Sequence, residues 1–522
     1  HSSLNGNIKA DFIELSKPVI SFSRQKGQVK DTTQPKKDFA GLPHLQINRI
    51  TVDQPKVENL PSTISEKMRL NLGSSKWDLL GINSDSSTLK VDSVRFYLSN
   101  TYLQTDKFKL NPTEKERIDF KGSAFAFQPA NHNHKSKWSL NLNSLKMSGL
   151  ILNTLQNDSV KQTIALNDLK IENLHINDSL FSKPEGFLNN NAHFRLTNGN
   201  IELENGKTNL KVFNLSLTKS SNTLSLDSLI FSPLLDRDAF MKTQEYQATH
   251  IQLQSGKINV KGIDFNQLLK DQIISAKKTT INDIHLLVYK DKRLPFHHGI
   301  TKPMLTEMLL NIKPKILVDS LLLKNGLIEY EEFNNKTQQF GQIKLSNVKG
   351  AIAGVRTFDP LPYDSLKFNI YARLLDTADL RLKYKQSYTD SLSGFNLKLI
   401  VNSVNLTALN PMLRPFASAE LKSGNLDTIR MSVIGRKYVA FGVMKMYYDD
   451  LNAVYLNNGD SANKTAVTKT LSFFANRIVH TKNKKGTGEV YAERDPEKGF
   501  VNYWVKIVIG GVLTNAGVRT NK

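Results

Sequence analysis

Apolar residues fall at nearly every second position over long stretches of this chain, a period that fits a strand and not a helix. Ile201-Glu-Leu-Glu204, Thr208-Asn-Leu-Lys-Val-Phe-Asn-Leu-Ser-Leu217 and Phe395-Asn-Leu-Lys-Leu-Ile-Val401 are three such runs. Successive side chains of a strand point to opposite faces, so each run makes a ribbon with one oily side and one wet side. Asn-Gly, Ser-Gly and Asn-Asp steps separate the runs, as hairpins and short loops require. The expected fold class is mainly β: an elongated, curved antiparallel sheet, a groove or half-tube, with a few short helices.

Within the alternation one phrase recurs: apolar, any residue, apolar, then Asp or Asn, then a further alternating run. Leu45-Gln-Ile-Asn-Arg-Ile-Thr-Val52, Leu89-Lys-Val-Asp-Ser-Val-Arg-Phe96 and Leu140-Asn-Leu-Asn-Ser-Leu-Lys-Met147 are early copies. The phrase returns at residues 164–171, 224–231, 316–323 and 399–406. The irregular spacing argues against a propeller or strict solenoid, while the fixed Asp or Asn points to a structural unit.

Helical spacing is rare. Residues 263–273 gather Phe265, Leu268, Leu269 and Ile273 on one face, with Asp264 able to cap the first turn. Residues 302–312 repeat the arrangement, 406–416 are helix-like but broken by Pro411 and Pro415, and a short turn is expected at 63–72. A strand or two and a loose connector near 32–37 are expected at the N-terminus. The boundaries so implied are an N-terminal β region (1–261), a helix-containing insert (262–315), a second β region (316–409) and a C-terminal region (410–522). A length of 522 residues exceeds one ordinary core.

Charge narrows the partners. Lys and Arg number 70 against 48 Asp and Glu, a net charge of +22, which favours anionic surfaces. The charge is dispersed, with no cluster longer than Lys482, Lys484 and Lys485. A nucleic-acid binder more often gathers it in one stripe with interleaved aromatics, so nucleic acid is not the expected partner. The absence of cysteine removes disulfides, thiolate catalysis and cysteine-based zinc sites together.

The search for chemistry returns little. Gly206-Lys207-Thr208 ends like a phosphate loop, but Ile201 stands where the motif needs glycine, so a hairpin turn is expected. His297-His298 has no Glu or Asp at helical spacing and reads as a solvated loop; His132 and His134 could share one side of a strand but read better as an exposed turn. Glu329, Glu331 and Glu332 flank Tyr330 and read as a charged outer face. Asp449-Asp450 reads as an exposed strand end and Asp495-Pro496 as a turn. No nucleophile elbow, two-histidine metalloprotease motif or dinucleotide fingerprint occurs. No enzyme activity, metal or cofactor is expected; a hydrolase with dispersed carboxylates is the reading an activity screen would test.

From residue 316 onward the pattern becomes specific. Leu406-Thr-Ala-Leu-Asn-Pro-Met-Leu-Arg-Pro415 is followed by Ala440-Phe-Gly-Val-Met-Lys-Met-Tyr-Tyr-Asp-Asp-Leu451 and Gly488-Glu-Val-Tyr-Ala-Glu-Arg-Asp-Pro-Glu-Lys498. The passage 442–451 carries most of the likeness. This region resembles the C-terminal part of AsmA-like proteins of Gram-negative envelopes, especially the Bacteroidetes-type members; over 45–287 only the strand phrase is similar. The resemblance implies a periplasmic protein, anchored to the inner membrane by an N-terminal segment absent from this chain and related to TamB-type and bridge-like lipid-transfer proteins. It implies phospholipid or another acyl lipid as ligand, held in an apolar β groove, and a role in outer-membrane biogenesis. The longest apolar stretch, 503–513, is short of the roughly 20 residues of a membrane span. Within it Tyr503, Trp504, Ile507 and Val508 are the candidate lipid or membrane contacts, set against simple packing on the terminal sheet. The rival reading is a structural or adhesive cell-surface β protein that binds acidic glycans.

Overall fold

The computed structural model describes residues 7–21, 44–58, 69–85, 88–98, 101–104, 108–112, 116–128, 137–147, 149–156, 159–167, 169–177, 195–204, 206–335, 337–456, 482–483 and 486–517. His132, His134, the connector at 32–37 and most of the expected turn at 63–72 lie outside these residues. Among the described residues the protein is mainly β, with a minority in helix, and it contains a large curved mixed sheet. Among the described residues that sheet is not closed as a barrel. The chain divides into two compact units, residues 1–229 with 265–271, and residues 230–264 with 272–522.

In the first unit neighbouring strands hold their apolar residues in register. Ile13, Ile50, Leu79 and Val94 occupy one row, and Ala10, Ile47, Ile82 and Val91 another. Ile47, Ile82 and Val91 are buried as one cluster with Leu45, Ile50, Leu89 and Val94 packed around them. Leu45, Ile47 and Ile50 therefore share a face although strict alternation would turn Ile50 away. The Asp or Asn step of the recurring phrase is what resets the phase. Opposite Asn48 and Asp92, between Leu80 and Ile82, sits Gly81 with φ +63°. Opposite Asp227 is Asn214 at φ +51°, its amide 3.0 Å from the Asp227 carboxylate. Opposite Asp319, between the pairs Val318–Val355 and Ser320–Ala353, is Gly354 at φ +69°. A left-handed residue kinks the strand as a bulge does, and only Gly, Asn and Asp adopt that conformation cheaply.

The second unit is a ladder of β1 (Ile258–Ile263), β2 (Ile273–Asn282), β3 (His285–Asp291), β4 (Lys315–Asn334), β5 (Gln339–Arg356), β6 (Ser365–Leu374), β7 (Ala378–Ser387), β8 (Phe395–Val401), β9 (Ala419–Gly435), β10 (Val439–Tyr455) and β11 (Gly488–Glu493). Most neighbours are antiparallel, as expected, but β2 and β3 each pair with β4 in parallel. Alternation is the same in both arrangements, so it carries no sign of this joint. A parallel return needs a long crossover, and the segment between β3 and β4 provides one. The stretch expected as an insert, 262–315, thus contributes strands to this ladder. Of the helices, α1 is Arg237–Lys242, α2 Phe265–Lys270, α3 Leu305–Leu310, α4 Asn410–Ala417 and α5 Phe500–Asn515. A short 3-10 turn, Leu406–Leu409, precedes α4 and absorbs the break before Pro411.

The core of this unit gathers Leu366, Tyr384, Phe395, Leu397, Met431, Val433, Met444 and Val490 from the sheet with Met304, Leu305, Tyr503 and Ile507 from the helical segments. Helix α5 lies close on β11: a Cβ added at Gly510 would stand 2.8 Å from the Tyr491 carbonyl oxygen. Only glycine permits that approach.

Candidate functional site

Following the pairings across the second unit traces a single row of apolar positions over nearly the whole ladder. Ile258 pairs with Ile281, Ile281 with Leu323, and Leu323 with Gly350. The row continues through Ile370, Leu382, Leu399, Met431 and Met444 to Gly488. Two residues along, a second row passes through Val260, Leu321, Ile352, Phe368, Tyr384, Leu397, Val433 and Val490, interrupted only by Thr279 and Gly442. Burial along the first row is uneven. Met431 is 3% exposed and Met444 fully buried. Ile258, Ile281, Leu323, Ile370, Leu382 and Leu399 are only half-buried. The apolar face is thus sealed at its C-terminal end and incompletely covered for the rest of its run.

The seal is made by α5 and α3. A Cβ at Gly511 would meet Val490 at 3.0 Å, so α5 lies directly over the last rungs. Tyr503 is 1% exposed and Ile507 fully buried. Trp504 packs at a tilt against Tyr384, ring centroids 4.9 Å apart, and Tyr503 meets Phe395 edge-on at 5.8 Å. Trp504 and Val508 are half-buried against the same core. Of the four candidate contacts, Tyr503 and Ile507 are therefore plug residues, while Trp504 and Val508 keep part of their surface exposed. Tyr503 and Ile507 have no surface to offer hydrocarbon, because the face of α5 that carries them is the face that packs on the sheet.

Polar groups pin α3 over the same end. Glu307 accepts hydrogen bonds from the Met304 backbone N–H and the Ser393 hydroxyl, both at 2.9 Å, with Lys437 at 3.5 Å. Burial pushes the Glu307 carboxyl up, but these donors outweigh it and hold the group below the usual glutamate value. Fully buried Gln386 accepts from Tyr384 at 2.7 Å and donates to the Ser393 carbonyl at 3.3 Å. Burial drives the Tyr384 phenol far above its ordinary range, so it acts as a neutral donor. The buried guanidinium of Arg494 donates to the Lys302 carbonyl oxygen and ties the crossover to the end of β11.

The other polar candidates do not assemble into a reacting site. Glu332 does not join a charged outer face: it is 3% exposed, with the Tyr330 hydroxyl at 2.5 Å and the Lys292 ammonium at 2.6 Å. It follows Tyr330 by two residues, so the two share a side of β4. Glu329 engages His285 at 2.7 Å and Glu331 engages Arg237 at 3.1 Å. His298, with no acidic residue at helical spacing, meets Glu497 at 2.9 Å across 199 residues of sequence, a pairing that local spacing could not reveal. No group of three or more metal-ligating side chains occurs among the described residues. Gly206 has φ +76° in the turn between Arg195–Glu204 and Thr208–Thr218, as a hairpin requires. Asp449 and Asp450 lie within β10, not at its end, and Asp450 has φ +49°. Asp495 sits in the expected turn, 3.1 Å from Lys498. No described helix is long and apolar enough to cross a membrane. No family model matches the chain, and no curated protein matches it.

Proposed function

We propose that this chain is a non-enzymatic lipid-handling protein whose uncovered apolar sheet face holds acyl chains. The observation that carries the reading is the row from Ile258 to Leu399, apolar in register yet only half-buried. Such a surface exposed to water is unfavourable, and each methylene laid against it contributes roughly 0.8 kcal/mol. The closed end at Met431 and Met444 suits a groove with a stop. The resemblance to AsmA-like proteins supports a periplasmic place and a part in envelope biogenesis, with phospholipid as the ligand.

Mass spectrometry of organic extracts from the purified protein tests the idea. Acyl lipid is expected above the level carried by an unrelated soluble protein purified in parallel. Leu382→Asp, at a half-buried rung, is expected to remove most of that lipid while circular dichroism stays strand-rich. Equal recovery from parent, variant and control would end the proposal.

A further inference from the structure

The opposite face of the same sheet carries a second surface. Residues that alternate with the core rows point outward, and six of them are the exposed cations Lys367, Lys383, Lys385, Lys398, Arg430 and Lys445. They do not alternate in sign across the strands. Lys367 is the direct partner of Lys385, Lys383 of Lys398, and Arg430 of Lys445. Like charges placed directly opposite on one face of a sheet destabilise it, and here the arrangement occurs three times on adjoining strands. Among the described residues none of the six forms an ion pair. Carboxylates on this face are fewer and lie toward its margins: Asp379 pairs with Arg373 at 2.9 Å, Asp449 follows Lys445 four residues along β10, and on the edge strand β11 Glu489 is the partner of Val443 while Glu493 is bonded to Tyr491 at 2.8 Å.

Beside the cations lies an apolar cluster. Ile434 pairs with Phe441 and Phe441 with Tyr491, and Val443 is two residues along from Phe441. Their exposures are 53% for Ile434, 48% for Phe441 and Val443, and 40% for Tyr491. Two of the four are aliphatic and offer no ring on which a base could stack. Cations beside an exposed aliphatic and aromatic patch match a phospholipid surface, whose phosphates meet the ammonium groups while the apolar tips enter the headgroup layer.

We infer that the outer face of strands β6 to β11 is a docking surface for an anionic phospholipid bilayer, separate from the hydrocarbon-holding face behind it. The unfavourable like-charge pairs are relieved when the sheet lies against phosphate. Co-sedimentation of the full chain with vesicles tests this, comparing phosphatidylcholine alone with phosphatidylcholine containing phosphatidylglycerol. Binding is expected only to the anionic vesicles and is expected to fall as salt rises. Lys398→Glu and Lys445→Glu are each expected to weaken binding at least about fivefold, the effect of one basic residue near such a surface. Each is also expected to raise the melting temperature, because a like-charge pair becomes an opposite pair. A variant that merely disturbed the fold would lower both. Phe441→Ser is expected to weaken vesicle binding with the melting temperature unchanged.

Equal binding to neutral vesicles, or parent-like binding by both charge reversals, would overturn the inference. So would tighter, equally salt-sensitive binding to an oligonucleotide or an acidic polysaccharide through the same lysines. Lipid recovered by organic extraction is expected to be the same in these variants as in the parent, so this proposal and the groove can fail separately.

Discussion

Glu307 shows how one side chain can hold a cover in place. Its carboxylate joins the start of α3 to Ser393 and Lys437, and its pKa is lowered in the fold. A group with a lowered folded pKa contributes stability that is complete above its unfolded value and lost as pH falls through the folded value. Glu307→Gln is therefore expected to be less stable than the parent at neutral pH in urea titrations. The gap should close as pH drops below the ordinary glutamate value of about 4.3. At this scale the sequence was least legible. The alternating pattern around Tyr330 gave no sign that Glu332 turns inward, because its partner Lys292 comes from a separate segment. Tyr503 and Ile507 were read as possible lipid contacts because an oily helix face has one composition whether it meets a membrane or a sheet.

Elements were read more fully. The strands announced themselves by period; the helices at Phe265–Lys270 and Leu305–Leu310 fall within the segments where apolar spacing suggested them, and Asn410–Ala417 overlaps the third, ending one residue beyond it. The recurring Asp or Asn was visible, but not its purpose, since the left-handed residue it faces lies on another strand. The structure makes that purpose testable at Gly354. A Cβ there would run into the Ser365 carbonyl oxygen at a φ of +69°, so Gly354→Ala is expected to cost about 1–3 kcal/mol, from strain and the clash together. Gly206 has a similar φ of +76° with open space around it. Gly206→Ala is expected to cost about 1 kcal/mol, the conformational penalty alone. Chemical denaturation of both variants measures the difference; equal losses would mean that the close approach at Gly354 is unimportant. The parallel joints of β2 and β3 with β4 were hidden, because register and direction are set by a crossover and not by local pattern.

For the molecule as a whole, an open apolar face ties stability to occupancy. A ligand that binds the folded state and not the unfolded one raises the unfolding free energy with its concentration. Protein stripped of lipid is thus expected to melt at a lower temperature than protein as purified, and to recover when acyl lipid is added back. Unchanged melting after stripping would argue that the face needs no occupant. The rows also have a consequence for how such a chain can lengthen. Because each antiparallel neighbour from β5 to β10 brings its oily residues in at the height of the one before, copying a hairpin extends the apolar face without redesigning any neighbour. Reach, in a protein built this way, can grow by duplication, and the terminal helix is the one part that must stay at the end.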